Sequence, residues 1–90
     1  METSRETQAI AEILRGELGK AQKKSRWFGS VIGRSQSHAS QILLGKKAMS
    51  TDELELACHA FGLRASAVMR TAEGMADDAS WTPVRDPKAS

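Results

Sequence analysis

From Gly33 to Lys47 the chain reads GRSQSHASQILLGKK, a stretch without a single carboxylate. Gln36, Ser37, His38, Ser40 and Gln41 are all uncharged hydrogen-bonding residues, and Arg34, Lys46 and Lys47 flank them with positive charge. A glutamine amide offers a donor and an acceptor side by side, and a serine hydroxyl serves either polarity. That chemistry suits the reading of a hydrogen-bonding pattern better than the breaking of a bond. The plainer alternative for each glutamine is an exposed helix residue of good propensity.

Bond-breaking chemistry finds little support elsewhere. A hydrolytic site needs a nucleophile, a base and an orienting group in one cleft. Here the serines fall on exposed or capping positions, and no acid lies near His38 in sequence. Cys58 and His59 are adjacent, so on a helix they point about 100° apart, and neither has a partner at metal-site spacing. Cys58 is read as core. The expectation is a non-enzyme with no metal, no cofactor and no small-molecule ligand.

Charge is unevenly distributed. Of the 90 residues, 13 are basic and 11 acidic, a net charge of +2. From Gly19 to Ser50, however, Lys20, Lys23, Lys24, Arg26, Arg34, Lys46 and Lys47 meet no Asp or Glu at all. Such separation implies one positive face, as in a protein that docks on polyanions. A solvated basic face without a partner is the alternative, and it weighs most for Lys20 and Lys23.

These residues need a scaffold, and the length allows one modest core. At 40% hydrophobic and 27% charged residues, the composition is that of an ordinary globular chain. No apolar run approaches membrane-span length, and the charged N-terminal segment lacks a signal peptide's apolar centre. A lone cysteine makes no internal disulfide. A cytoplasmic location is expected.

Apolar residues recur every three or four positions and never alternate strictly, which predicts an all-α fold. The first helix is expected over 4–21, capped by Thr3 or Ser4 and weakened by Gly16 and Gly19. A second spans 26–32 with Ser25 as cap, stopped by Gly33. The third covers 36–44, with Ser35 as cap and Gly45 as its left-handed end. Ser50 and Glu53 have capping-box spacing for a fourth helix, closed by Gly62. The fifth is expected over 65–73, ending at Gly74. Residues 1–74 form the domain, and 75–90, with both prolines and three aspartates, read as a mobile tail.

Two short helices joined through Gly33 have the dimensions of a helix-turn-helix. Phe28, Ile32, Ala39 and Ile42 fall on faces that pack together, and Gly29 supplies the small side chain for a close crossing. With these residues, SRWFGSVIGRSQSHASQILLGKK and LELACHAFGLRASAVM resemble the lambda-repressor-like family of helix-turn-helix DNA-binding domains, the fold of many phage repressors and Cro proteins. The resemblance covers roughly residues 10–69. It implies five helices, the helix-turn-helix at helices two and three, with the third in the major groove and the second above it.

Residue by residue, the resemblance places Gln36, Ser37 and Gln41 at base edges, where a glutamine amide suits adenine N6 and N7. His38 joins them as a base-reading candidate, and it and Ser40 flank the set within reach of phosphate or a neighbouring base. Ser25 and the start of the second helix match a backbone clamp for phosphate, with Lys24 and Arg26 beside it. Lys46 and Lys47 follow the reading helix and are assigned to phosphate, as are Ser40 and Arg34.

Departures are also visible. Many members carry an Arg in the first helix and a Glu late in the third as a buried ion pair; the matching positions here are Leu18 and Leu43, both apolar, and the joint change suits a packed core. Lys23 and Arg34 each replace an apolar residue. The function implied is a sequence-specific transcriptional regulator binding double-stranded DNA, a small repressor of phage or prophage type. Dimerisation, weak or DNA-assisted, is expected through helix five and the Trp81 and Val84 segment. The alternative is a protein-interaction module on the same fold, such as an antitoxin or adaptor.

Overall fold

A computed structural model describes residues 3–83. Among them are five helices and no strand: α1 (Arg5–Lys20), α2 (Ser25–Ile32), α3 (Gln36–Leu43), α4 (Thr51–Ala60) and α5 (Ala65–Asp77). Short polar side chains start three of them. Ser4 accepts from the Thr7 amide, Ser35 from His38 and Ser50 from Glu53. At Ser50 the capping box is complete, since the Glu53 carboxylate also accepts from the Ser50 amide at 2.9 Å. α2 differs from expectation: its cap position is Lys24, without a side-chain bond, and Ser25 is the first helical residue.

The core is built from one face of each helix. Leu14 of α1, Phe28 and Ile32 of α2, Ala39, Ile42 and Leu43 of α3, and Ala57 of α4 form one buried cluster, with Leu18 packed against it. Leu43 thus lies in the cluster on which Leu18 packs, so both positions are apolar and part of the core region. A second cluster, Leu54, Cys58 and Val68, is joined to the first through Ile10 and Met49. Cys58 is core, and burial raises its thiol pKa.

Close approach decides the crossing of α2 and α3. A Cβ on Gly29 would lie 2.9 Å from the Arg34 carbonyl oxygen and 3.4 Å from the Ala39 Cβ. Only glycine lets the chain fold back so tightly. The turn itself uses Gly33 at φ 71°, a left-handed conformation that costs a residue with a side chain free energy.

The end of α1 reaches the same geometry without glycine. Gln22 has φ 56°, the Lys23 amide donates to the Leu18 carbonyl and the Gln22 amide to that of Gly19, the paired bonds of a Schellman end. Gly16 and Gly19 do not break the helix, which continues to Lys20. Gln22→Gly is expected to relieve the left-handed strain, raising stability by about 0.5–1 kcal/mol after glycine's own entropic cost. Denaturant melts of both chains test this; a lower midpoint for the variant would refute it.

At the other end, α5 runs through Gly74 to Asp77, so the expected stop at Gly74 is displaced. No neighbour crowds Gly74, and the helix carries it. Trp81 then lies on α1. Its indole Nε1 donates to Glu12 Oε2 at 2.9 Å. The Arg5 guanidinium donates to the carbonyls of Ala76, Asp78 and Trp81 and sits 5.1 Å from the Trp81 ring. Asp78 and Trp81 are therefore joined to α1 through Arg5 and Glu12. Val84, also singled out as an anchor, lies outside the described residues.

Candidate nucleic-acid interface

α3 is held from behind and open in front. Ala39, Ile42 and Leu43 are buried, while Gln36 and Ser37 are exposed and Ser40 and Gln41 half-buried. The side chains of Gln36, Ser37, Ser40 and Gln41 make no hydrogen bond with another described residue. Their donors and acceptors are available to an outside surface. Behind α3, Arg15 Nη1 donates to the Leu43 carbonyl, and the Thr3 hydroxyl donates to the carbonyl of Gly45. α1 thereby anchors the C-terminal end of α3.

The cations divide by what they already touch. Lys20 lies 3.7 Å from Glu17, and Lys23 Nζ sits 5.7 Å from the centroid of Trp27, which in turn packs on Phe61. These two are spoken for within the chain. Lys24, Arg26, Lys46 and Lys47 are exposed and form no ion pair among the described residues. Lys24 and Arg26 flank the start of α2, where half-buried Ser25 and the first amides lack a side-chain cap, and a helix N-terminus in that state favours an anion. Lys46 and Lys47 follow α3 directly, the Lys46 amide closing the helix on the Gln41 carbonyl at 2.9 Å.

His38 does not join its neighbours. The ring is turned inward, its Nε2 buried, without a hydrogen-bond partner and 3.6 Å from Glu53 Oε2. The ring thus faces Glu53 of α4, while the side chain stays 25% exposed. Arg34 is also engaged: its Nε donates to Glu53 Oε2 at 2.9 Å, while the side chain stays 52% exposed. Glu53 itself is buried. The Ser50 amide, above all, and Arg34 hold its carboxyl below the usual glutamate range against the cost of burial, so it is an anion at neutral pH.

Sequence reading missed this ion pair and the Trp81 contact. The capping-box spacing located Glu53 on its helix, but nothing local marks a partner 19 residues away. No group of His, Cys, Asp and Glu among the described residues is placed to hold a metal. No described helix is long and apolar enough to cross a membrane.

Two solved structures of the clp gene regulator ClgR from Corynebacterium glutamicum resemble this architecture. Each is 25% identical to the chain and covers 77% of it, with TM-scores of 0.69 and 0.66 over 73% and 90% of the ClgR chains. The chain has the lambda-repressor-like helix-turn-helix fold. No family model matches it, and neither does any curated protein. Within a lambda-repressor-like domain the helix-turn-helix is α2 and α3, and α3 is the element that such motifs set into the major groove. The similar structures are of a gene regulator, in line with the expectation of a non-enzyme.

Proposed function

We propose that the chain is a sequence-specific regulator of transcription that binds double-stranded DNA through α3. The observation that carries this is the face of α3: uncharged side chains of Gln36, Ser37 and Gln41, with Lys24, Arg26, Lys46 and Lys47 before and after them in sequence, none of these seven paired among the described residues. The likeness to ClgR, a gene regulator, supports the reading. Gln36, Ser37 and Gln41 read base edges. Ser25 with the amides of α2, Lys24, Arg26, Arg34, Ser40, Lys46 and Lys47 hold phosphates, which position the domain without reading sequence.

The proposed role is that of a small repressor of phage or prophage type. A second copy pairs through α5, where Met69 is 46% exposed; Trp81 is already occupied by α1 and contributes only by stiffening that end. Selection of binding sites from random duplex DNA tests both parts. An enriched motif is expected, with two-fold symmetry and half-sites about one helical turn apart if two copies bind. Failure to retain any duplex at low salt would end the DNA-binding reading in favour of a protein-interaction module.

A further inference from the structure

Arg34 and Glu53 occupy an unusual position for an ion pair. The acid is buried at the start of α4, and the base sits in the turn that leads into α3. Glu53 uses both carboxylate oxygens: Oε1 accepts from the Ser50 amide, and Oε2 accepts from Arg34 Nε at 2.9 Å. The bond to Arg34 engages Nε alone. Neither terminal nitrogen of Arg34 makes a hydrogen bond among the described residues. A guanidinium gripped at Nε keeps its outer edge, the paired Nη groups, which match the two oxygens of a phosphate.

We infer that Glu53 is a positioning residue that holds Arg34 by its Nε and aims its free edge at one DNA phosphate beside the start of α3. The inference rests on the DNA-binding reading above. Without Glu53, Arg34 would have to be ordered at the moment of binding, at a cost in rotamer freedom. Holding it in the free protein removes that cost. The other groups that face the carboxylate are His38 from α3 and Ser50 at the cap of α4.

Glu53→Gln separates this role from a structural one. The amide oxygen still accepts from the Ser50 amide and keeps the cap, while the amide nitrogen faces Arg34 Nε, donor against donor. An acid that merely sits near DNA repels phosphates, so neutralising it should raise affinity. A positioning acid gives the opposite sign: affinity for the selected duplex should fall by about two- to tenfold. In an Arg34→Met background the same change should no longer lower affinity, since there is nothing left to hold. Arg34→Lys keeps the charge but cannot bond the acid and the phosphate through separate edges, so its affinity should fall towards that of Arg34→Met.

Melting midpoints and helical circular dichroism are recorded for every variant. If Glu53→Gln does not fold, the Arg34→Lys and Arg34→Met comparison alone decides. Higher or unchanged affinity for Glu53→Gln, or parental affinity for Arg34→Lys, overturns the inference while leaving DNA binding intact. A relaxed base preference at one position in Arg34→Lys overturns it as well, because Arg34 would then be reading guanine. Absence of duplex binding by the parent chain removes the DNA-binding reading itself.

Discussion

Leu43→Glu is expected to destabilise the domain by about 3–5 kcal/mol, the cost of an interior charge without a full partner. Leu43 is 6% exposed and lies in the cluster with Leu14, Phe28 and Ile42, against which Leu18 packs. Arg15 is already bonded to the Leu43 carbonyl, so any compensation it gives moves the loss to the lower part of that range. For a domain of this size roughly 4–8 °C of melting temperature goes with each kcal/mol. The loss should be plain in a thermal melt. Adding Leu18→Arg should recover a substantial part, because the ion pair that the resemblance implies for these two positions is then complete. Equal melting midpoints for Leu43→Glu and the parent would show that the site is not the closed interior described here.

The second large effect separates reading from holding. On the proposed reading, in which Gln36 and Gln41 meet base edges, Gln36→Ala or Gln41→Ala is expected to cost about 1–3 kcal/mol on the selected site while relaxing one position of the motif. Affinity for unrelated duplexes should hardly change. Lys46→Ala or Lys47→Ala should weaken binding to every sequence alike, and each lost phosphate contact should flatten the plot of log affinity against log salt by about 0.9. Both side-chain classes are exposed or half-buried and make no side-chain bond among the described residues, so none of these changes should disturb the fold. A salt titration on selected and scrambled duplexes gives both readouts. If folded glutamine variants return the parental motif, α3 does not read DNA through those residues.

How far the sequence carries depends on the range of each interaction. Ser4, Ser35 and Ser50 were legible as caps because a cap and its amide are three residues apart. Gly29, Gly33 and Gly45 were legible because glycine marks tight geometry, and with them came the whole helix-turn-helix. The strained Gln22 was not, since glutamine advertises no left-handed conformation. Gly74 misled for the converse reason: an unhindered helical glycine is tolerated when flanking turns bury Val68 and Ala72. In the site, the uncharged run from Gln36 to Gln41 was visible in composition, and the resemblance singled out Gln36, Ser37 and Gln41 within it. The inward turn of His38 did not, nor did the grip of Glu53 on Arg34, because both are set by how α4 lies behind α3. Trp81 on Glu12 spans 69 residues, beyond any local pattern.

The docking of α1 on α5, fastened by Arg5 over Trp81, bears on the order in which the molecule is assembled. α1 packs more extensively on α5 than any other two of the described helices pack together, yet these are the first and last of the five in chain order. The α2 and α3 hairpin closes over a handful of residues and pays little loop entropy. Its anchor is different: α1, which supplies Leu14 and grips the end of α3 through Arg15, meets its main partner only across the whole stretch that separates Lys20 from Ala65. A nascent chain halted before α5 would carry α3 without the support that α1 lends it. The rigidity of α3 thus arrives late, with the pairing of the first and fifth helices.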